Sequence, residues 1–284
     1  MLPAPVTTYV ASRGWGRVTG ARPVSGGCIN DGRVLTTESG PWLFLKTNAS
    51  APADMFLREA EGLAALAAAP GAPRVPAPLM TGDTFLLLEY LAPAPHAPDY
   101  WPSLGQRLAQ LHRATKPTFG FDHDNYIGAT PQPNPPTADG YVFFGESRLR
   151  FQALRARQSH LLSADGVRRV DRLIARLPEL VPPQPASLIH GDLWSGNIIP
   201  GPNGQACLID PAAHFAWAEA DLAMTTLFGH PPQSFFAAYN AERPLEPDYQ
   251  DRFELYNLYH LLNHLNLFGT SYLPGVEALL AHFA

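Results

Sequence analysis

The residue types best suited to chemistry lie in one short segment, between positions 190 and 211. Asp192 is followed five residues later by Asn197, and a second aspartate, Asp210, follows a short apolar stretch. A carboxylate can take a proton from a hydroxyl group, while an amide oxygen and a second carboxylate supply the oxygen ligands that Mg²⁺ prefers. Phosphoryl transfer requires little more, because its catalysis is mainly positioning and charge neutralisation. The segment predicts Asp192 as a general base and Asn197 and Asp210 as Mg²⁺ ligands. An ordinary loop with a capping aspartate is the alternative, which Asp210 weakens.

A lysine at the end of an apolar strand is the second feature. Lys46 ends the segment 42–46, and a predicted helix that carries Glu59 follows after a loop. In protein-kinase-like folds a strand lysine paired with a helix glutamate holds the phosphates of ATP, whereas a lone lysine at a strand end is usually only solvated. Glu61 is the other possible partner, but it lies nearly opposite Glu59 on a helix. We therefore expect Glu59 to pair with Lys46 and Glu61 to be solvated.

A run of small residues lies one strand before Lys46. Gly26, Gly27 and Cys28 separate two predicted strands, and small residues let backbone N–H groups approach phosphate. A hairpin turn with a glycine pair is the alternative. The same N–H groups favour a thiolate, so Cys28 is also a candidate redox site whose oxidation or alkylation would inhibit the protein. A small buried residue is the alternative for Cys28.

A small sheet with one helix must position these residues. The last strand of that sheet ends at Glu89 to Leu91, whose backbone groups are expected to hydrogen-bond an adenine ring; a buried edge strand has the same pattern. Asp54 can cap the helix, which runs to about residue 69. Strands are predicted over residues 18–24, 33–37, 42–46, 79–80 and 84–90.

The remainder of the chain is mainly helical by its pattern. Residues 91–99 contain three prolines and predict a linker, so we expect a nucleotide-binding N-lobe over 1–91 and a catalytic and substrate-binding C-lobe over 92–284. The predicted fold class is α+β, a bilobal protein-kinase-like fold with a small antiparallel sheet and one helix in the N-lobe. Helices are predicted over 102–113, 141–160, 164–177, 221–228, 249–268 and 275–283, and β segments over 187–189, 198–199 and 206–209, the last two joined by an Asn203-Gly204 turn.

Composition excludes several classes of protein. Formal net charge is -5 at pH 7 and the basic residues form no dense run, so nucleic-acid and membrane partners are not expected. No apolar run is long enough to span a bilayer, no signal peptide is visible, and the two cysteines are far apart. We therefore expect a cytoplasmic protein that is a monomer or a homodimer.

The motifs together resemble the fructosamine kinase (ketosamine-3-kinase) family, within the aminoglycoside phosphotransferase and protein-kinase-like superfamily. The Asp and Asn pattern is shared across the superfamily, whereas the Trp194-Ser195-Gly196 segment and the stretch 123–134 are specific to the family. The chain departs from the family pattern at Ser25, where one more glycine is usual, and after residue 211, where an aromatic pair and an arginine are usual. The matching segments are 26–30, 54–56, 59–63, 119–128, 130–134, 190–197, 219–224 and 259–266.

The resemblance implies an ATP-dependent kinase that uses Mg²⁺ and phosphorylates the O3 hydroxyl of free or protein-bound ketosamines, the sugar adducts of amines. Trp194 would line the sugar site, and His123, Asp124 and Asn125 would supply polar groups that orient the ketose. The departures leave the preferred sugar open. Phosphate at O3 is a good leaving group once C1–C2 enolises, so the product is expected to eliminate and release the free amine.

Three rival functions share parts of the pattern. An aminoglycoside or choline kinase would share Asp192, Asn197 and Asp210, but polycationic or quaternary substrates favour acidic or aromatic surroundings. Residues 255–273 contain no aspartate or glutamate, which disfavours an aminoglycoside. A nucleotide-binding pseudokinase typically lacks one of the catalytic residues, and all four are present when Lys46 is included.

Overall fold

The computed structural model describes residues 2–24 and 30–284. Five antiparallel strands form the N-terminal sheet in the order β1-β2-β3-β5-β4. Each predicted strand is confirmed, with both ends within two residues of the observed ones. The predicted phosphate loop with Gly26, Gly27 and Cys28 lies outside the described residues. The strands are β1 (Val18–Val24), β2 (Asp31–Thr37), β3 (Leu43–Thr47), β4 (Pro78–Gly82) and β5 (Phe85–Glu89).

Strand alternation decides where Lys46 points. Leu43 and Leu45 of β3 pack with Phe85 and Leu87 of β5 in a core that covers one face of the sheet. Successive side chains of a strand point to opposite faces, so Lys46 lies on the other face, where helix α2 (Met55–Ala68) packs. The alternation thus places the lysine between the sheet and α2.

Two features of the N-terminal part differ from expectation. A helix that the sequence did not predict, α1 (Ala4–Ser12), covers the first face of the sheet with Val6 and Val10. Asp54 occupies the predicted N-cap position of α2, but its side chain makes no capping bond. Its carboxylate instead accepts hydrogen bonds from the Tyr126 hydroxyl at 2.7 Å and Arg58 Nε at 3.1 Å. The capping prediction is therefore wrong, because a distant tyrosine and an arginine one turn along the helix bind the side chain.

The C-terminal part is mainly helical with short strands, and the α+β class is confirmed. Helices α3 (Tyr100–Leu111), α6 (Ala164–Leu180), α7 (Glu219–Leu227), α9 (Phe253–Phe268) and α10 (Leu273–Phe283) agree with the predicted helices. One predicted helix, 141–160, is broken into α4 (Gly140–Val142), a π-helix (Phe143–Arg150) and α5 (Phe151–Gln158). One helix, α8 (Gln233–Glu242), was not predicted.

Short strands in this part form the scaffold around the predicted base. The predicted hairpin pairs β10 (Ile198–Pro200) with β11 (Ala206–Leu208), and Asn203 and Gly204 both have positive φ at its turn, 61° and 70°, as an Asn-Gly turn favours. The remaining strands are β6 (Thr115–Lys116), β7 (Asn125–Ile127), β8 (Thr130–Gln132), β9 (Ala186–Ile189) and β12 (His214–Ala216).

No helix in the described part of the chain is long and apolar enough to cross a membrane. Residues 90–99 connect β5 to α3 and follow the predicted linker closely. The division of the chain into lobes at residues 91 and 92 stays a prediction.

Candidate active site

A buried aspartate, Asp221, holds the backbone of the loop that carries Asp192. Asp221, in α7, accepts the backbone N–H groups of His190 at 2.7 Å and Gly191 at 2.9 Å, and His112 Nε2 lies 3.2 Å from the same carboxylate. Burial raises the pKa of Asp221, but the bond from His112 and the other donors outweigh it, so the net pKa is lowered. Asp221 therefore remains an anion that fixes the loop.

Gly191 allows this loop to pass close to the segment after Asp210. Its φ is +81°, and a Cβ added to it would lie 2.3 Å from the Ala212 carbonyl oxygen, so a larger residue would be strained. His190 joins the same two segments, because its Nδ1 accepts the Asp192 N–H at 3.3 Å and its Nε2 lies 2.9 Å from the Ile209 carbonyl oxygen, to which it donates. The predicted base and the predicted metal ligand thus have a shared scaffold.

Asp192 and Asn197 meet in the same loop. Asn197 Nδ2 donates to the Asp192 carbonyl oxygen at 2.8 Å and to Asp192 Oδ2 at 3.3 Å. Burial, with a further contribution from the nearby Asp210 carboxylate, raises the pKa of Asp192 to about 7. A carboxylate with this pKa is poised to take up a proton near neutral pH.

Lys46 joins the sheet to the segment that carries Asp210. Its Nζ lies 2.6 Å from Glu59 Oε1 and 2.5 Å from Asp210 Oδ1, which confirms the predicted pairing with Glu59. Burial alone would lower the pKa of Lys46, but the two carboxylates raise it above its ordinary value, so the lysine is a fixed cation. Glu61 instead pairs with Arg58 at 2.9 Å.

The residues predicted to bind Mg²⁺ present suitable oxygen atoms. The Nδ2 atom of Asn197 is committed to Asp192, which leaves Oδ1 as the atom that can face a cation. One Asp210 oxygen contacts Lys46, and its side chain is 43% exposed, so the second oxygen is accessible. Mg²⁺ is typically held by one or two protein oxygens together with substrate phosphates and water, so this donor set fits the ion.

A cleft of about 1140 Å³ runs between the sheet and the helical part. The predicted residues Lys46, Glu59, Asp192, Asn197 and Asp210 all line it. On the side next to β5 and the β10–β11 hairpin it is lined also by Phe44, Leu88, Glu89, Tyr90, Leu91, Ile199 and Ile209. It is lined further by Arg22, Val24, Asn30 and Gly32, which lie on either side of residues 25–29 in the sequence.

The predicted substrate residues are only partly brought together. Trp194 lines the cleft, and so does Asn125, but the Asn125 side chain is occupied by the Ala213 carbonyl oxygen, Gln132 and Asn134. Asn125 therefore has a structural part in the β7–β8 hairpin.

His123 and Asp124 do not belong to the lining of the cleft. His123 Nδ1 lies 3.6 Å from Glu61, and Asp124 Oδ1 accepts the Asn134 backbone N–H at 2.7 Å. The structure therefore does not place them beside Trp194, because each of these side chains has a partner elsewhere.

Several cleft residues were not predicted as functional. Aromatic side chains from the end of α7 and from α9 line the wall beyond Trp194, and only the aromatic content of residues 255–273 was a signal for them in the sequence. In the sequence, Asp221 was visible only as one of two acids at the start of a helix and as part of the matching segment 219–224. The unpredicted wall residues are Phe228, Asn263, His264, Leu267, Phe268, Ser271 and Tyr272.

The whole chain is similar to known proteins. A family model described as fructosamine kinase matches residues 5–283. A probable ketoamine kinase from Synechocystis sp. is 43% identical over 269 residues, covering 93% of this chain and 90% of the relative. A chloroplastic protein-ribulosamine 3-kinase from Arabidopsis thaliana is 38% identical over 293 residues, covering 97% of this chain and 86% of the relative.

Solved structures agree with these relatives. A candidate fructosamine-3-kinase from Thermobifida fusca superposes with a TM-score of 0.88 at 32% identity, over 97% of both chains. A complex of gentamicin with the aminoglycoside phosphotransferase APH(2'')-IIa has a TM-score of 0.65 at 15% identity, covering 99% of this chain and 96% of the other. The distant match concerns the fold alone and confirms the kinase-like architecture. Because the family model spans nearly the full length and the close relatives agree with it, the chain belongs to the fructosamine kinase family.

Proposed function

We propose that this protein transfers the γ-phosphate of ATP to the O3 hydroxyl of ketosamines. The observation that carries the proposal is that one cleft brings together three features. These are a buried lysine cation, a carboxylate whose pKa is raised towards neutral pH, and two side chains whose oxygen atoms can bind a metal ion. In the sequence, Lys46 lies more than 140 residues before Asp192, Asn197 and Asp210. All four side chains nevertheless line the same cleft. Relatives named as ketoamine and ribulosamine kinases support the choice of acceptor.

ATP would bind with its adenine against the apolar side of the cleft, next to β5 and the β10–β11 hairpin. Leu88, Ile199 and Ile209 line this side, and the backbone from Glu89 to Leu91 would hydrogen-bond the ring edge. The phosphates would then reach Lys46, whose charge is held in place by Glu59 at 2.6 Å. A buried ammonium supplies strong, oriented attraction for phosphate oxygens.

Asp192 would accept the proton of the O3 hydroxyl as that oxygen attacks the γ-phosphorus. The new bond joins O3 to phosphorus, the bond from phosphorus to the β–γ bridging oxygen breaks, and ADP leaves. Asn197 and Asp210 would hold Mg²⁺, which neutralises the charge of the phosphates. Because the base needs only to hold one proton transiently, a pKa of about 7 for Asp192 suits the step.

The product explains the biological use of such a reaction. Enolisation at C1–C2 places a carbanion-like centre next to C3, so a phosphate at O3 leaves readily as inorganic phosphate. Loss of phosphate leaves an imine at C1, and water hydrolyses this imine to a dicarbonyl sugar and the unmodified amine. The kinase step alone would therefore commit a glycated amine to repair, whether the amine is free or part of a protein.

An ATP-consumption screen tests the proposal. Purified protein with Mg²⁺ and ATP is assayed against ribulose-lysine, fructose-lysine, kanamycin and choline, with the Asp192→Asn variant as a control for contaminating kinases. We expect ADP formation with one or both ketosamines that is lost in the variant. Activity on kanamycin or choline with none on a ketosamine would refute the proposed acceptor.

A further inference from the structure

A continuous aromatic surface extends from Trp194 along one side of the cleft. The rings of Trp194 and Phe228 are 6.1 Å apart in an edge-to-face arrangement, and Phe228 lies 5.0 Å from His264. His264 in turn lies 5.4 Å from Phe268 and 5.1 Å from Tyr272. We call the four rings beyond the tryptophan, Phe228, His264, Phe268 and Tyr272, the aromatic wall.

The aromatic wall is exposed to the cleft and fixed to the catalytic loop. Phe228 is 40% exposed and Phe268 is 47% exposed, although both are large apolar residues. The Phe228 carbonyl oxygen accepts a hydrogen bond from Ser195 Oγ at 3.1 Å, which joins the wall to the residue after Trp194. Exposed, contiguous apolar surface inside a cleft is typical of a ligand contact.

The charges around the wall define what it can accept. Residues 255–273 contain no Asp, Glu, Lys or Arg. His264 Nδ1 donates to the His260 carbonyl oxygen at 2.7 Å, which leaves Nε2 as a hydrogen-bond acceptor, and burial lowers the pKa of the ring. Aromatic faces attract apolar groups and single cations and disfavour anions. The wall therefore suits an apolar or aromatic group attached to one protonated amine.

We propose that the aromatic wall binds the amine half of the ketosamine and selects adducts whose amine carries an uncharged apolar or aromatic group. The inference rests on the proposed function. With O3 at Asp192 and the sugar against Trp194, the substituent on the amine nitrogen extends over the wall, because the wall is the aromatic surface that continues from Trp194. The protonated amine donates to His264 Nε2 or lies against the ring faces, and no carboxylate on the wall competes for it.

Three ribulosamines test this selection, made from methylamine, benzylamine and glycine so that only the amine half differs. For the unmodified protein, kcat/KM should be at least about tenfold higher for the benzylamine adduct than for the methylamine adduct, and the glycine adduct should not exceed the methylamine adduct. Phe268→Ala should lower kcat/KM for the benzylamine adduct about 3- to 10-fold more than for the methylamine adduct, whose only contact with the ring is through its protonated amine.

Two controls separate recognition from folding. Leu154→Ala removes a side chain that is 51% exposed and does not line the cleft, and it should change neither adduct. Phe268→Leu keeps apolar bulk without the ring, and it should lose part of the preference while its circular dichroism spectrum matches the unmodified protein. Equal loss for both adducts in Phe268→Ala would overturn the proposal, as would a glycine adduct that is the best substrate. If all three ribulosamines are inert while kanamycin or choline is phosphorylated, the proposed function itself fails.

Discussion

The pKa of Asp192 makes a prediction about stability that is independent of turnover. Burial and the neighbouring Asp210 carboxylate raise this pKa from the ordinary aspartate value of 3.8 to about 7. A carboxyl group with a raised pKa in the folded state contributes stability at low pH, and that stability is lost as pH rises from about 4 to about 7. The ionised Asp192 carboxylate therefore lowers the stability of the fold at neutral pH, and Asp192→Asn should remove this cost.

The size of the effect follows from the shift in proton affinity. Each tenfold change in proton affinity is worth about 1.4 kcal/mol. The rise in the pKa of Asp192 from 3.8 to about 7 therefore corresponds to at most about 4 kcal/mol. Because the cleft admits water to one side of the carboxylate, we expect Asp192→Asn to raise the free energy of unfolding by about 1–3 kcal/mol at pH 8. At pH 5 the gain should be about a third of that value, since the folded protein is then already protonated at this site.

Thermal and urea unfolding at pH 5, 6 and 8, without nucleotide or Mg²⁺, measure the difference. A gain of about 1–3 kcal/mol should raise the Tm at pH 8 by about 2–5 °C. Asp122→Asn is the matched control, because its carboxylate is 72% exposed and should change the stability by less than about 0.5 kcal/mol at each pH. An Asp192→Asn protein that is no more stable at pH 8, or whose gain is the same at all three pH values, would refute the reasoning.

Three further substitutions test separate parts of the site. Glu59→Gln should lower kcat/KM for ATP by about 10- to 100-fold because Lys46 loses one fixed anion, whereas Glu61→Gln, two residues away on the same helix, should stay within about twofold in the same steady-state assay. Trp194→Ala should lower kcat/KM for ribulose-lysine at least about tenfold and change the calorimetric Kd of ATP by less than about twofold; equal losses in both would mean that the loop has collapsed. Asp221→Asn should destabilise the protein by about 2–4 kcal/mol in urea, since two backbone N–H groups lose an anionic acceptor, and unchanged unfolding would contradict its anchoring part.

Residues whose function depends on local geometry could be predicted from the sequence. Lys46 and Glu59 were paired correctly because strand alternation and helix spacing decide the directions of both side chains. Asp192 and Asn197 are only five positions apart in one loop, so the contact between them depends little on the rest of the fold. Tertiary structure brings Asp210 close to Asp192 and Asn197. The predicted hairpin with its Asn-Gly turn indicated this, because the hairpin returns the chain towards the loop before Asp210.

Features that depend on distant contacts could not be predicted. The carboxylate of Asp221 acts on backbone groups about 30 residues earlier in the chain, and nothing in its own helix indicates this. His123 and Asp124 were expected near Trp194 because they precede Asn125 in a family motif, but the β7–β8 hairpin gives them other partners.

The elements that were missed have similar causes. Helix α1 begins among two prolines and several β-branched residues, and packing of Val6 and Val10 on the sheet stabilises it in spite of this weak propensity. The aromatic wall combines the end of α7 with α9 and the turn after it, where Gly269 has a φ of 87°. No pattern in one segment of the sequence indicates that these rings form one surface.

The position of the transferred phosphate tests the central claim most directly. Ribulose-lysine is incubated with Mg²⁺, ATP and the unmodified protein, and the reaction is followed by ³¹P and ¹³C NMR. The account predicts one ADP per phosphorylated ketosamine, a phosphorus–carbon coupling at C3, and later release of inorganic phosphate with free lysine. A phosphate on another hydroxyl, or ADP formation without any phosphorylated ketosamine, would contradict it.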